Sequence, residues 1–291
     1  MWCPSTSLAV WANSWLAGRA APDDVLDALS AWAPVQSVAA FDAISIGEAG
    51  MAWADGNDSG ATALLQLVRS AAYPKDAVSI QPVFPIAGDV RGLPGGTAFE
   101  REAMIAGEAV IIGTPTSSSP IGLVPAFLDC ADDEATRDNP SDDECRDDAW
   151  TELSWTLHAL PATVPAEHHD LGEAEYALRT AVRSAAATLT TAGRYWTSEA
   201  ADDPRSLVEQ LVQAALIHRI PEHAPTRAVR VLETAAQVEA ILTVSSGGLT
   251  AAHWATDVHR ATAELTRLAA VVRSARYAAV SAILHSAWRR G

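Results

Sequence analysis

A glycine-rich segment, residues 87–97, has the composition of a loop that could hold an anion. Its four glycines fall within nine residues: Gly88, Gly92, Gly95 and Gly96. Glycine accepts positive φ and lets a ligand approach the backbone, so the amides of such a loop are able to surround an anion. Arg91 and Arg101 would add charge-assisted hydrogen bonds. The segment lacks the P-loop ending and the GxGxxG dinucleotide motif, and a wide turn between strands accounts for the glycines equally well.

Residue types that bind transition metals are present, but not at the usual metal-binding spacings. His253 and Asp257, four residues apart, would share one face of a helix and are weak candidate ligands. No His-Glu-x-x-His motif occurs. Charges of alternating sign continue from this pair at steps of three and four residues, which is typical of a solvated helix edge. We therefore expect neither a metal nor another cofactor.

The sequence identifies no catalytic residue. It contains no Gly-x-Ser-x-Gly motif, and Gly247 and Gly248 are typical of a helix end. Cys130 and Cys145 lie among carboxylates, which disfavour a thiolate. Three cysteines in 291 residues do not make a disulfide framework, so a reducing, cytoplasmic location is expected.

The carboxyl-terminal segment carries only positive charge. Residues 265–291 contain five arginines and no acid. Cations near a helix carboxyl terminus are favoured by the helix dipole, which explains this pattern without any partner. Alternatively, Arg273, Arg276, Arg289 and Arg290 form an interaction surface that contacts an acidic segment within one molecule or between two. A membrane surface or nucleic acid is a weaker alternative, because the net charge of the chain is −16.

Composition limits the classes of protein to consider. With 49% hydrophobic residues, the chain is expected to fold, and its length suits about two domains. The acidic balance argues against generic nucleic-acid binding. The long uncharged run at residues 109–128 contains three prolines, so no transmembrane segment is expected. Residues 7–16 have helical spacing but no preceding basic residue, which favours an amphipathic first helix over a signal peptide.

The distribution of charge suggests three segments. Residues 1–128 have a net charge of −7, residues 129–148 of −8, and residues 149–291 of −1. A short block with so many like charges repels itself and buries little apolar surface. The sequence therefore predicts an α+β domain at 1–128, an acidic and flexible linker at 129–148, and a carboxyl-terminal helical bundle at 149–291.

Helical and strand signals alternate in the first segment. Helices are predicted from Pro22 to Pro34 and around Leu64–Ala72, and a strand over Val35–Ile46. Short β-branched runs follow between glycines and prolines, at residues 78–84, 108–113 and 121–127. Residues 98–105 fit either a strand or a short helix, because Glu100, Arg101 and Glu102 favour a helix. We expect a small, mainly antiparallel sheet with flanking helices, hence the fold class α+β.

The last segment has helical periodicity in four stretches. Apolar residues recur at steps of three and four from Leu171, from Val208, from Val231 and from Trp254. Residues 249–290 contain no Gly or Pro, so one helix of about 40 residues and roughly 60 Å is possible. Such a regular apolar face needs partner helices, which predicts an all-α bundle.

Two hypotheses for function remain. The first is a non-catalytic, cytoplasmic interaction or regulatory protein that acts through its helical bundle and segregated charge, with a protein partner or a second copy of the chain. The second is a small-molecule enzyme or ligand-binding protein that holds an anion at Gly88–Thr97 with Arg91.

Overall fold

A computed structural model describes residues 2–45, 60–72, 79–86, 88–113, 120–128, 152–161, 170–192, 204–249 and 255–289. The chain divides into two compact units. The sheet unit comprises Cys3–Glu167 together with Ala287–Gly291. The helical unit comprises His168–Ser286 together with Met1–Trp2.

The sheet unit is built on one five-stranded sheet. In chain order its elements are α1 (Pro4–Leu16), α2 (Pro22–Ser30), β1 (Val35–Ala40), α3 (Gly60–Ala71), β2 (Ile80–Val83), α4 (Ala98–Ala106), β3 (Ala109–Ile112), β4 (Ile121–Leu128) and β5 (Glu152–Ala159). The strand order is β1-β5-β4-β3-β2. Only β1 and β5 pair in parallel; the other three pairings are antiparallel. The expected small, mainly antiparallel sheet with flanking helices is therefore present.

Helix α1 is buried almost throughout, although it contains five polar residues within the buried stretch. One of these polar residues, Asn13, makes hydrogen bonds through both ends of its side-chain amide. Its Nδ2 donates to the carbonyl oxygens of Ala9 and Ile80, both at 2.8 Å, and its Oδ1 accepts from the Ser79 amide at 3.4 Å. These bonds attach α1 to the start of β2. The predicted first helix is thus present, and it is a core element whose polar residues are buried together with its apolar ones.

A second buried amide joins β1 to β5 and to α2. Trp155, fully buried on β5, donates through Nε1 to Gln36 Oε1 at 3.1 Å. Gln36 Nε2 in turn donates to the carbonyl oxygens of Leu29 and Ala33, at 3.2 and 2.9 Å. Every polar group in this chain of bonds has a partner, which is the condition for burying an amide in a core without a large cost.

Helix α4 packs on the opposite side of β4 from these large side chains. Phe99 lies directly over Gly122, where a Cβ would overlap the ring. Thr97 caps the helix by accepting the Glu100 amide at 3.1 Å, and Gly107 ends it with φ of 72°. Residues 98–105, for which a strand was one alternative, are therefore helical, because capping and close packing on a glycine favour the helix.

Strand β5 corrects the expectation that the chain is helical from residue 149 onward. Residues 152–159 pair with β4 along their whole length and with β1 over six residues. The acidic residues 129–148 lie outside the described residues, but the elements on either side of them, β4 and β5, are neighbours in one sheet. This acidic segment therefore connects two paired strands, and the strand that follows it belongs to the sheet unit.

The helical unit contains α5 (Leu171–Ala192), α6 (Pro204–Leu216), α7 (Thr226–Leu249) and α8 (Ala255–Trp288), except that the last two residues of α8 belong to the sheet unit. Helices α5 and α6 both contact α7. Glu175 of α5 accepts from Arg227 Nε at 2.8 Å, and this hydrogen bond holds the pKa of Glu175 below its ordinary value.

The helix bounds differ from the sequence prediction in two places. Helix α7 continues through Gly247 and Gly248 to Leu249, so these glycines do not end it before that residue. Helix α8 has 34 residues, fewer than the predicted 40 or so, and the segment 250–254 before it lies outside the described residues. Among the helices that the structure describes, none is both long and apolar enough to cross a membrane.

The close approach of α3 to β1 allows a test of this fold. A Cβ at Gly60 would overlap the backbone oxygen of Gln36, whereas a Cβ at Gly95 would meet open space. We expect Gly60→Ala to lower the free energy of unfolding by about 1–3 kcal/mol, because the backbone has to move. Gly95→Ala is the matched control, with a change of less than about 1 kcal/mol. Urea unfolding followed by tryptophan fluorescence measures both, and equal stability of the two variants would contradict the packing described.

Candidate functional site

The described chain brings its most concentrated group of chemically active side chains to one edge of the sheet. Strands β1 and β5 are parallel neighbours, so their carboxyl ends lie at the same edge. Phe41, Asp42 and Ser45 follow β1, and His158 is at the end of β5. Glu102 reaches the same place from α4. We call these five residues the carboxyl-end cluster. Side chains beyond the carboxyl ends of parallel strands are a common place for ligands to bind.

His158 and Glu102 form the centre of this cluster. His158 Nε2 lies 2.9 Å from Glu102 Oε2, with the His158 side chain 3% exposed and that of Glu102 34% exposed. Gly122 lies opposite His158 on β4, and the packing of Phe99 over that glycine brings α4 close to the sheet. None of the residues that the structure describes bonds the other ring nitrogen, Nδ1. One side of the imidazole is thus fixed by a carboxylate and the other is left for a further partner.

Two aromatic rings contact the imidazole of His158. The Phe41 ring is stacked on it, with centroids 4.7 Å apart and an interplanar angle of 26°. The Phe99 ring is tilted by 60° at 5.6 Å. Phe99 is fully buried, but Phe41 is 46% exposed, so Phe41 has one face on the imidazole and presents much of its surface to solvent.

Asp42 and Ser45 form a turn that is bonded to β5. Asp42 Oδ1 accepts from the Ser45 amide at 2.8 Å and from the Ser45 hydroxyl at 2.7 Å. The hydroxyl oxygen accepts the Ala159 amide at 3.0 Å. The hydrogen bonds from Ser45, with a smaller electrostatic contribution from His158, hold the pKa of Asp42 below its ordinary value of 3.8. Because the Ser45 proton is donated to Asp42, this serine is not placed as a nucleophile activated by His158.

The carboxyl-end cluster can therefore supply a buried imidazole and two carboxylates. An imidazole held by a carboxylate has a defined tautomer and is able to accept, donate or transfer a proton through its other nitrogen. In the part of the chain that the structure describes, no group of three or more His, Cys, Asp or Glu side chains is arranged to hold a metal ion.

The glycine-rich loop uses its own carboxylates as acceptors. Gly88, Gly92 and Gly96 have positive φ, as a turn requires. The Gly96 amide donates to Glu100 Oε2 at 2.6 Å. The side chain of Arg91 donates to both carboxylate oxygens of Asp89, at 2.9 and 2.7 Å. These carboxylates accept hydrogen bonds from the donors that we expected to bind an anion.

The remaining residues predicted for the loop contribute less. Arg101 is exposed on α4, and Gly95 lies in the loop with open space around its Cα. Nothing in the described structure brings either residue to the carboxyl-end cluster. Ligand binding at Gly88–Thr97 stays a prediction, without support from the positions of its donors.

The predicted interaction arginines differ in their surroundings. Arg273 is only 4% exposed, with its guanidinium 5.1 Å from the centroid of the Tyr277 ring. Arg276 Nη1 donates to Glu239 Oε1 at 3.3 Å within the helical unit. Arg289 is exposed, and its carbonyl oxygen accepts from Arg19 at 2.6 Å. Two of the four arginines are therefore engaged inside the protein.

Several predicted residues fall outside what the structure describes. The described residues do not include Arg290, His253, Cys130 or Cys145. Asp257 lies in α8, but the structure describes nothing of its side chain. The weak metal candidate pair His253 and Asp257 therefore stays a prediction.

Sequence reasoning did not identify the carboxyl-end cluster. Its residues are separated by long stretches of chain and meet only through the parallel pairing of β1 and β5. One signal was available: Leu153, Trp155 and Leu157 alternate with polar residues, which is the period of a half-buried strand. Recognising that strand would have placed His158 at a strand end.

Comparisons with known proteins match most of the chain, in two domains. The N-terminal domain of the Rv1486c-like proteins matches residues 5–170, and their C-terminal domain matches residues 172–277. The chain belongs to the Rv1486c-like family. The boundary between the two matched domains falls within a few residues of the boundary between the sheet unit and the helical unit, Glu167–His168. All five residues of the carboxyl-end cluster lie in the N-terminal domain.

Relatives in this family come from mycobacteria. The uncharacterized protein Rv1486c of Mycobacterium tuberculosis (strain ATCC 25618 / H37Rv) is 53% identical over 294 residues, covering 99% of each chain. The uncharacterized proteins ML1804 of Mycobacterium leprae (strain TN) and MAV321 of Mycobacterium avium are 50% and 44% identical, again over 99% of each chain. No solved structure matches the chain.

The hydrogen bonds to Asp42 predict a defined pH dependence. Because folding lowers the pKa of Asp42, its ionised form stabilises the fold above the unfolded pKa, and this contribution is lost as the pH falls through the folded value. Asp42→Asn should therefore be less stable than the parent at about pH 7, and the difference should shrink towards about pH 3. Urea unfolding across this range measures the difference.

Ser45→Ala provides an independent check of the cause. Removal of the hydroxyl donor should move the pKa of Asp42 back towards 3.8, as measured by NMR titration of its carboxyl carbon. If Asp42 titrated at its ordinary value in the parent protein, the hydrogen bonds from Ser45 would not have the effect described.

Proposed function

We propose that this protein binds a small polar ligand at the carboxyl-end cluster, with His158 as the group that contacts it. The observation that carries the proposal is the His158–Glu102 pair, in which a buried imidazole is fixed through one nitrogen and has no described partner at the other. This is the ligand-binding hypothesis of the sequence analysis, moved from the Gly88–Thr97 loop to the end of the parallel strand pair.

The surroundings of His158 support a binding role over a purely structural one. Nδ1 of His158 is not one of the fully buried atoms that lack a partner in the described residues, so this nitrogen is accessible to a ligand. The aromatic rings of Phe41 and Phe99 provide apolar walls without hydrogen-bonding groups. A ligand that enters beside the exposed edge of Phe41 would complete the hydrogen bonding of the imidazole.

The proposal concerns binding, and an acid–base step at His158 would be its enzymatic form. Glu102 would orient the imidazole, as a carboxylate does for a general base. The sequence-based expectations of no cofactor and no catalysis stay predictions.

A second candidate function is the protein–protein interaction role, through the helical unit folded as an all-α bundle. Its support is a set of large apolar side chains that are exposed in this unit: Tyr176, Leu216, Ile217 and Ile241. Exposed apolar surface marks interaction sites when it is contiguous. Since Arg273 and Arg276 are engaged within the unit, the contact would be apolar more than electrostatic. A second copy of the chain, in the cytoplasm, is the partner that we propose.

The ligand-binding proposal is tested by thermal shift and by NMR of the histidine rings. A library of small polar compounds should give at least one that raises the melting temperature and shifts the ring signals of His158. His158→Gln should abolish both effects. The matched control is His285→Gln, an exposed histidine in the last turn of α8, which should leave them intact. Stabilisation that persists in His158→Gln would contradict the proposal.

The interaction proposal is tested by sedimentation over a range of protein concentrations. If the chain self-associates through the helical unit, replacing Leu216 and Ile217 by serine should shift the equilibrium to monomer. Ile105→Ser, at an exposed apolar residue of the sheet unit, is the matched control and should change nothing. A protein that is monomeric at every concentration, or a control variant that dissociates equally, would contradict this role.

A further inference from the structure

We infer that the ligand of the carboxyl-end cluster is a primary ammonium compound, held between Asp42 and Glu102 with its alkyl part against Phe41. This inference rests on the proposed binding function and adds the chemical class of the ligand. Its basis is the type of hydrogen-bonding group that the cluster leaves for a ligand.

Each carboxylate of the cluster has one oxygen that is not used in its hydrogen bonds with His158 or Ser45, and these oxygens are acceptors. Glu102 uses Oε2 for His158, and its second oxygen, Oε1, has no described partner. Asp42 uses Oδ1 for both bonds from Ser45, so neither of them uses Oδ2, and the Ile44 amide makes a smaller hydrogen-bonding contribution to this carboxylate. A neutral His158 that donates Nε2–H to Glu102 leaves a lone pair on Nδ1. The hydroxyl of Ser45, which could have served as a donor, points to Asp42.

The charge of the two carboxylates also favours a cationic ligand. The pKa of Asp42 is lowered, so this carboxyl is ionised at neutral pH. In the described part of the chain, neither Asp42 nor Glu102 is paired with an arginine or lysine. A ligand with several N–H donors and a positive charge satisfies two carboxylates and an imidazole nitrogen at once. An anion would be repelled by both carboxylates.

Phe41 supplies the apolar contact. Its amide donates to the carbonyl oxygen of Leu157 at 2.9 Å, which fixes the backbone beside β5, and its inner face rests on the imidazole. The outer part of the ring is exposed and attracts cations as well as alkyl groups. Because the ring is already held in place, little conformational entropy is lost when a ligand packs on it.

Probes that share one alkyl chain and differ in head group separate the contribution of the positive charge from that of the N–H donors. The probes are n-butylammonium, n-butyltrimethylammonium, n-butanol and n-butyrate, each titrated into the full-length protein and followed by the ring signals of His158 and by thermal shift. We expect n-butylammonium to bind most tightly. The trimethyl form keeps the charge but has no N–H donor, and it should bind at least about tenfold more weakly, as the loss of even one charge-assisted bond predicts. The alcohol should bind more weakly still, and butyrate should not bind.

Matched variants test the assigned residues. Asp42→Asn, Glu102→Gln and Phe41→Leu should each weaken n-butylammonium binding by about tenfold. Glu152→Gln and Phe127→Leu are the controls, because they alter a carboxylate and an exposed phenylalanine at the opposite end of the same strands. The melting temperature of each variant without probe shows whether it is folded, and a variant that does not fold is replaced by Glu102→Ala or Phe41→Met.

The outcomes distinguish this inference from the function on which it rests. If butanol or butyrate shifted the signals of His158 and the ammonium did not, the cluster would be a ligand site but the inferred class would be wrong. If no probe and no library compound affected His158, the binding function itself would fail. Equal weakening by the Glu152 and Phe127 controls would show that the ammonium binds acidic or aromatic surface without using the cluster, and would overturn the inference.

Discussion

The parallel pairing of β1 with β5 is the constraint on which the candidate site depends. It aligns Val35 with Glu152 and Ala40 with Leu157, so that the turn after β1 meets the end of β5. Side chains alternate between the two faces of a strand, and a slip of one residue would carry His158 to the opposite face. The buried bond from Trp155 to Gln36 opposes such a slip, since it would leave both polar groups without partners.

The same interaction explains why polar residues occupy parts of the core. Gln36 connects a tryptophan of β5 to two carbonyl groups at the end of α2, and Asn13 connects α1 to the start of β2. The bond from Trp155 to Gln36 and the bond from Asn13 to β2 join elements that are distant in the chain, whereas the other bonds of Gln36 join β1 to the preceding helix. Apolar side chains of similar volume would fill the space, but they would fix neither register nor helix position. These buried amides therefore favour one register of β1 and β5, which positions His158 and the three cluster residues that follow β1, whereas Glu102 is positioned by the packing of α4 on β4.

The sequence predicted the local elements better than their assembly. Strands β2, β3 and β4, the helices α2 and α3, and the periodic helices after residue 170 all lie near their predicted positions. Each has a periodicity that can be counted within a dozen residues. Strand β5 was missed because the acidic segment before it suggested a domain boundary. A segment of like charges that repel one another can equally be a long connection between two paired strands. The pairing of β1 with β5 depends on contacts distant in the chain, which no local pattern encodes, and therefore the cluster could not be predicted.

The glycine-rich loop and the carboxyl-end cluster, our two candidate ligand sites, differ in whether nearby residues already pair with their hydrogen-bonding groups. In the glycine-rich loop the donors of Arg91 and Gly96 are matched by Asp89 and Glu100, which lie within a few residues of them. A local carboxylate has a high effective concentration, so an external anion would have to displace it. At the carboxyl-end cluster Asp42, Glu102 and His158 come from three different elements, and within the described chain no arginine or lysine pairs with the two carboxylates. Acceptors held together in this way, beside a ring fixed by the sheet, suit the cation that we propose, and anion binding at the glycine-rich loop stays a prediction.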